Sequence, residues 1–363
     1  MKIMGHAGYH RRVAINIGAG FVPGMSSVLM GAALAGGRLG WELVGIRDGF
    51  EGLLHPDRYP DGGLVPLSLE RVEDIDPATA GVLGQSPWVD PSRAPTDAAE
   101  TDPSDELLRR LEAEGIEALI SVVGNQGLGI LYRLHLKGLH TVCIPRSVEN
   151  DIAGTAVSLG FNTALSVTLE MLNKAYQAAR SARRIAVVEV LGERAGWIAL
   201  QAGIAARADA VLIPEIPCDL KHVAARLRDK ISLRRPYGLV VVAEGAKLVD
   251  DAPAESGPDG SIAARTARTL QSLMDGEFHP LVIGSWARGG NPSAVDQQLG
   301  MAFGAEAVDL LKAGQTAVMV AFVPPDIRSI SLKEAVDTAR TVPVDSEFMR
   351  IAQSLGIYLG TPL

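Results

Sequence analysis

The sequence predicts an α/β protein of two doubly wound domains with mainly parallel sheets. Three observations lead there. Apolar, β-branched runs alternate with helical segments of ~10–15 residues almost from end to end, the pattern of βαβ units covered on both faces. At 363 residues the chain is too long for one small core and suits two domains. With 47% apolar and 21% charged residues it can bury a large core and is not disordered.

The elements follow in order. VAINIGAG (13–20) reads as a buried strand ending in glycines, and SSVLMGAALAGG (26–37) as a helix of small residues. WELVGI (41–46) is the second strand. From about 51 to 103 the chain is rich in Pro, Gly and Asp and reads as a long irregular stretch with one short element. SDELLRRLEAEG (104–115) is a helix capped by Ser104, with acids in its first turn and Gly115 at its end. EALISVVG (117–124) is a strand, LGILYRLHLKG (128–138) a helix, and HTVCIP (140–145) a strand stopped by proline. The second half repeats this rhythm: helix 160–181, strand 183–192, strand 209–215, helix 219–233, strand 237–245, helix 261–275, strand 280–284, helix 296–313 and strand 316–323.

Composition excludes several classes. Thirty-four Lys and Arg against 42 Asp and Glu leave a net charge of −8, which disfavours general nucleic-acid binding. Two cysteines, Cys143 and Cys218, make neither a disulfide framework nor a four-cysteine zinc site and suit a reducing compartment. The start, MKIMGHAGYHRR, has no apolar stretch of a secretory signal, and no run reaches the ~18 apolar residues of a membrane helix. The expectation is a soluble, cytoplasmic protein. The sequence contains no GxxxxGK[ST], GxSxG or HExxH.

In parallel α/β sheets ligands sit at the carboxyl ends of strands, and the unusual residues lie there. GAGFVPG (18–24), with Gly20, joins a strand to a helix; it is either a phosphate cradle of backbone N–H groups or a tight turn that needs glycine. GNQG (124–127) joins another strand to a helix; Asn125, Gln126 and Gly127 offer hydrogen bonds but no carboxylate to a metal. PRSVENDIAGT (145–155) is the densest cluster, with Arg146, Ser147, Glu149 and Asp151 within six residues. Two carboxylates beside a hydroxyl and a guanidinium suit proton abstraction from an alcohol and anchoring of a phosphate, the bland alternative being turn and helix caps. Arg183 and Arg184 open a strand; in an oligomer they would point away from their own site and reach a neighbour's, the alternative being a solvated basic pair. Arg288 in RGG suits phosphate, and Glu244 either accepts a sugar hydroxyl or pairs with Lys247.

Taken in order, these pieces resemble the phosphofructokinase A family over most of the chain. The matching stretches are GFVPGM (20–25), VGIRDGFEGL (44–53), VGNQG (123–127), PRSVENDIAGT (145–155), GFNTAL (160–165), RIAVVEVLGERAGWIA (184–199), VVAEGAK (241–247) and RGGNPSAVD (288–296). The resemblance implies two domains with a ligand cleft between them. The larger, donor-side domain would be 1–158 plus about 287–335, and the smaller, sugar-phosphate-side domain 159–286 plus about 336–363. It implies transfer of a phosphoryl group from ATP or pyrophosphate to the 1-hydroxyl of fructose 6-phosphate or a related sugar phosphate, with Mg²⁺, in glycolysis. A dimer or tetramer is implied as well. Glu149 stands at the family's general base, Asp151 at the supporting and weakly metal-binding carboxylate, and Ser147 at the residue that steadies the phosphoryl group. Arg184 matches an arginine given across a subunit interface, and Gly192, Glu244 and Arg288 match sugar-site positions. Arg146 stands where pyrophosphate-using members have Lys.

The departures are also informative. Gln126 replaces the metal-coordinating Asp, Phe21 a polar residue, and Pro87 an arginine that bridges the two phosphates, with Arg93 nearby. Glu193 replaces a phosphate-contacting Arg, although Arg194 follows it. His279 and Ser285 stand where an Arg and a His hold the 6-phosphate. Each lost charge-assisted contact is worth roughly 1.5–3 kcal/mol, so donor binding is expected to be weak. The altered donor side also defines an alternative, a non-catalytic or regulatory homologue that binds a phosphometabolite beside an active paralogue.

Overall fold

A computed structural model of the chain describes residues 11–75, 81–84, 103–249, 260–336 and 338–360. The chain forms two compact units, each assembled from separate stretches. Unit 1 comprises Met1–Ser147, Ile152–Gly160 and Asn291–Thr338; unit 2 comprises Val148–Asp151, Phe161–Gly290 and Ala339–Leu363. Among the described residues the strands are β1 (Arg12–Ile17), β2 (Glu42–Ile46), β3 (Leu64–Pro66), β4 (Ala118–Val123), β5 (Thr141–Pro145), β6 (Ile185–Val190), β7 (Ala210–Leu212), β8 (Gly238–Ala243), β9 (Phe278–Val282), β10 (Val318–Val323) and β11 (Asp326–Ser331).

Unit 1 holds one sheet in the order β11-β10-β5-β4-β1-β2-β3. Its inner strands are parallel, and the two edge strands β3 and β11 run antiparallel to their neighbours. Alternate residues of β1 enter different cores: Val13, Ile15 and Ile17 join Val28, Leu29 and Phe303, while Ala14 joins Leu107, Leu128 and Leu131. Burial on both faces is why β1 and β4 read as nearly continuous apolar runs, broken by Asn16 and Ser121, whose side chains are hydrogen-bonded to each other. The first core is roofed by helices Met25–Arg38 and Ala294–Lys312, which cross in close contact. A Cβ on Gly304 would lie 2.2 Å from the Val28 carbonyl oxygen, and one on Gly31 would lie 2.1 Å from that of Met301. Only glycine lets these two backbones approach so far.

Unit 2 holds a four-stranded parallel sheet in the order β7-β8-β6-β9. Helices Leu220–Lys230 and Ile262–Leu273 set Val223, Leu227 and Leu270 against Val187, Val240 and Val242. Helices Phe161–Ala182 and Trp197–Ala205 pack against β6, β7 and β8. Among the described residues no helix is long and apolar enough to cross a membrane.

Several boundaries differ from the sequence pattern for local reasons. The strand read to residue 20 stops at Ile17, because Gly20 (φ 89°) and Gly24 (φ 91°) turn the chain into the next helix. The helix read over 128–138 is Asn125–Leu136, so the GNQG turn is already its first turn. The strand read over 209–215 shrinks to Ala210–Leu212, two residues short of Pro214, which has no N–H for the ladder. The stretch after residue 51 contains helices Glu51–Leu54 and Leu69–Glu73 as well as β3.

Candidate active site

The carboxyl ends of β6 and β8 carry the most concentrated chemistry in unit 2. After β6 the chain turns through Gly192, whose φ of 144° and a Cβ position only 2.8 Å from the Ala195 carbonyl oxygen exclude a side chain. The Gly192 N–H donates to Glu244 Oε1 at 3.3 Å, just past β8. The next amide, that of Glu193, donates to Glu149 Oε2 at 3.0 Å. Gly245 comes so close that a Cβ would sit 2.0 Å from the Glu193 carbonyl oxygen. Glycines on both strands thus let Glu149 and Glu244 reach one turn. Arg288, ending the short 3₁₀ helix Gly284–Arg288, is near enough to act on both carboxylates.

Burial is the main force on Glu149 and pushes its carboxyl up from 4.5 to about 7. The charges of Asp151 and Glu244 push the same way; the Glu193 N–H and Arg288 oppose them. Burial likewise raises Glu244, reinforced by Glu189 and Glu193 and opposed by the Gly192 N–H and Arg288. A carboxylate balanced near neutrality, with the Arg288 cation in reach, is suited to accept a proton. Asp151 is buried, and the chain reaches it through Asn150 in the left-handed conformation (φ 57°), which Asn tolerates.

The strand ends of unit 1 carry the other predicted residues. The buried Arg146 side chain gives Nε to the Val122 carbonyl at 3.2 Å, and its two terminal nitrogens donate to the carbonyls of Ala19 and Gly20. Its guanidinium therefore fixes the GAGFVPG turn to β4. Phe21, in that turn, packs on the unit 1 core. Gly127 is required because a Cβ there would lie 2.6 Å from that of Val123. The amides of Asn125, Gln126 and Gly127 precede the helix's first bond, Leu128 N–H to Gly124 O, and the Gln126 side chain is exposed. Ser147 takes its place by donating its N–H to Leu159 O at 3.1 Å, while Ser158 Oγ donates back to the Ser147 carbonyl.

Within unit 2 the chain does not bring Arg184 and His279 to the Glu149 cluster. Arg184 precedes β6 and pairs with Glu277 at 3.4 Å, and His279 is the second residue of β9, opposite Ala186. They lie at the amino end of a sheet whose carboxyl end holds Gly192 and Glu244, roughly 20 Å away along the strand. Ser285 is exposed in the 3₁₀ helix before Arg288. Pro87 and Arg93 lie outside the described residues. No group of three His, Cys, Asp or Glu side chains stands at metal-binding spacing among the described residues. The Asp151 carboxylate by itself is one hard oxygen ligand, and Mg²⁺ commonly takes the rest of its ligands from water and substrate phosphates.

Three further residues lie beside this cluster whose contacts the sequence does not reveal. Arg340 donates its N–H to the Asp151 carbonyl at 2.8 Å and its guanidinium to the Asn150 carbonyl at 3.2 Å. Trp197 lies under that guanidinium, and Glu215 accepts from the N–H groups of Gly196 and Val342. Arg340 and Glu215 act on backbone groups, so no motif marks them; Trp197 lies within the matching stretch 184–199, but nothing in that stretch tells of the guanidinium on its ring.

Comparison with known proteins follows the same outline. The phosphofructokinase family model matches residues 12–311. The ATP-dependent 6-phosphofructokinase of Chloroflexus aurantiacus is 33% identical over 357 residues, 97% of this chain and 99% of that protein. A pyrophosphate–fructose 6-phosphate 1-phosphotransferase of Amycolatopsis mediterranei is also 33% identical, over 344 residues, 92% of this chain and 97% of its own. Among solved structures, a pyrophosphate-dependent phosphofructokinase from Marinobacter aquaeolei superposes with a TM-score of 0.76 at 19% identity, covering 97% of this chain and 93% of that one. A phosphofructokinase from Saccharomyces cerevisiae gives a TM-score of 0.73 at 23% identity; the match covers 95% of this chain but 46% of the longer yeast chain. At these identities the two structures show the shared fold.

Proposed function

Because the chain belongs to the phosphofructokinase family, we propose that it transfers a phosphoryl group from ATP or pyrophosphate to the 1-hydroxyl of fructose 6-phosphate or a related sugar phosphate. The observation that carries this reading is the Glu149 carboxylate, held by the Glu193 N–H between Asp151, Glu244 and Arg288. Glu149 takes the hydroxyl proton, the freed oxygen attacks phosphorus, and the bond from phosphorus to the leaving oxygen breaks. Glu244 and Arg288 are assigned to the sugar phosphate. Ser147, Gly20, Asn125, Gln126 and Gly127 are assigned to the transferred group and donor, and Arg146 to the shape of the donor loop. No observation favours the non-catalytic alternative. The test is production of a bisphosphorylated sugar by the purified protein with each donor in turn. No turnover with either would end this reading.

Both donors stay in the proposal because ATP-using and pyrophosphate-using relatives are equally similar, at 33% identity. Mg²⁺ enters only as a counter-ion of the donor phosphates, and no step is assigned to it. Replacing Gln126 by Asp is expected to strengthen Mg²⁺-dependent donor binding about tenfold or more, the worth of one charge-assisted contact. Calorimetry with and without Mg²⁺ measures this; equal affinities for the two proteins would show that residue 126 does not face the donor.

The reading includes a cytoplasmic homodimer or homotetramer. Arg184 and His279 sit too far from Glu149 in their own chain to serve it, which supports their serving a neighbouring copy. Arg184→Ala and Glu149→Gln chains, each nearly inactive alone, are then expected to recover activity when mixed under exchange, through one intact site per mixed pair. A mixture no more active than its parts would count against a shared site.

A further inference from the structure

The strap Arg340–Val342 follows the last stretch of unit 1, belongs to unit 2, and is hydrogen-bonded to the 149–151 segment. Both of its ends are tied. The Arg340 carbonyl accepts from Trp197 Nε1 at 3.0 Å, and the Val342 N–H donates to Glu215 Oε1 at 2.7 Å. Glu215 also accepts from the Gly196 N–H at 3.0 and 3.2 Å, so it joins the strap to the turn after β6. Between these ties Arg340 touches two segments at once. Its guanidinium carbon lies 4.0 Å from the centre of the Trp197 ring, while Nη1 donates to the carbonyl of Asn150. Its own N–H donates to the carbonyl of Asp151.

These contacts bracket the bond that defines the site. Asn150 stands between Glu149 and Asp151, and Trp197 lies four residues beyond Glu193, whose N–H holds Glu149. We infer that Arg340 is a positioning residue for the proposed phosphoryl transfer: its guanidinium, stacked on Trp197 and bonded to Asn150, fixes the 149–151 segment against the 192–197 turn. The inference rests on the reading of Glu149 as the base. A cation stacked on an indole and partly withdrawn from water holds its place more firmly than one in solvent. Arg suits the task because its plane can stack while its edge donates. The backbone bond to Asp151 survives any side-chain change, so substitutions at 340 isolate the guanidinium.

The test compares Arg340→Ala, Arg340→Lys and Trp197→Phe with the wild type. Misplacing a catalytic group by about an ångström costs on the order of 10- to 100-fold. Arg340→Ala is therefore expected to lower kcat by about that factor, with KM for both substrates within about threefold. Arg340→Lys, which keeps a cation and a donor, should recover most of kcat, and Trp197→Phe should fall between. Amide hydrogen exchange gives a readout without turnover: residues 149–152 and 192–197 should exchange faster in Arg340→Ala while β8 stays protected. Should the alanine variant not fold, the comparison of Lys with a Gln variant carries the same prediction. Wild-type kcat and exchange in Arg340→Ala, or a loss expressed in KM alone, would overturn the inference. If the wild type has no phosphotransferase activity, the function reading fails and the exchange arm alone decides whether the bracket exists.

Discussion

Glu149→Gln is expected to lower kcat by about 10²–10⁴-fold, the usual worth of a general base, with little change in sugar-phosphate binding. Gln has the same shape and can still accept the Glu193 N–H, but it cannot take a proton from a hydroxyl. The same carboxylate sets the pH dependence. Because its value in the folded protein is about 7, wild-type kcat should decline as pH falls below about 7, since the protonated form is no base. Stability moves the other way. The folded value lies above the ordinary 4.5, so the folded state binds more protons across that window and loses stability as pH rises from 4.5 to about 7. The Gln variant should lack this loss, which denaturant titrations at several pH values will measure. A Glu149→Gln protein with wild-type kcat would assign the proton to another group.

The second large effect concerns the scaffold. Gly304→Val is expected to destabilise the protein by about 3 kcal/mol or more, at the upper end for overpacking. The new Cβ would lie 2.2 Å from the Val28 carbonyl oxygen and 2.8 Å from the Ala32 nitrogen. Both are backbone atoms, which cannot swing aside as a side chain can. The helices would have to part, loosening Val28, Ala32, Phe303 and Ala307, all fully buried. Replacing glycine within a helix by a better helix former gains at most about 1 kcal/mol, so packing decides the sign. Urea unfolding gives the number, and a midpoint equal to that of the wild type would mean that the crossing can open freely.

The legible parts of the fold were those whose physics leaves a compositional trace. Strands β1, β4, β5 and β8 are buried on both faces and stand out as apolar runs. Strand β11, DIRSIS, is an antiparallel edge whose residues are all exposed or half-buried, so nothing apolar marks it. Strand β9 spans Phe278–Val282, so the apolar run over 280–284 starts two residues after the strand does. In the site, Glu149 and Glu244 stand out as acids at the carboxyl ends of apolar runs, whereas Gly192 enters only through the family resemblance. The backbone bonds of Arg146 leave no trace in the sequence, since a guanidinium bonded to carbonyls reads like any other. Arg340 and Glu215 were invisible because their partners are main-chain groups, which every residue has.

The interleaving of the two units has a consequence for synthesis on the ribosome. Helix Ala294–Lys312 and strands β10 and β11 belong to unit 1, yet they emerge after the whole of 161–290. At ~5–20 residues per second, the face formed by Val13, Ile15, Val28 and Leu29 waits some tens of seconds for its cover. A nascent chain with that face bare is a substrate for chaperones and, without them, for aggregation. The four strands of unit 2, by contrast, have all been made by residue 282. The unit that begins the chain is thereby the last to complete its sheet.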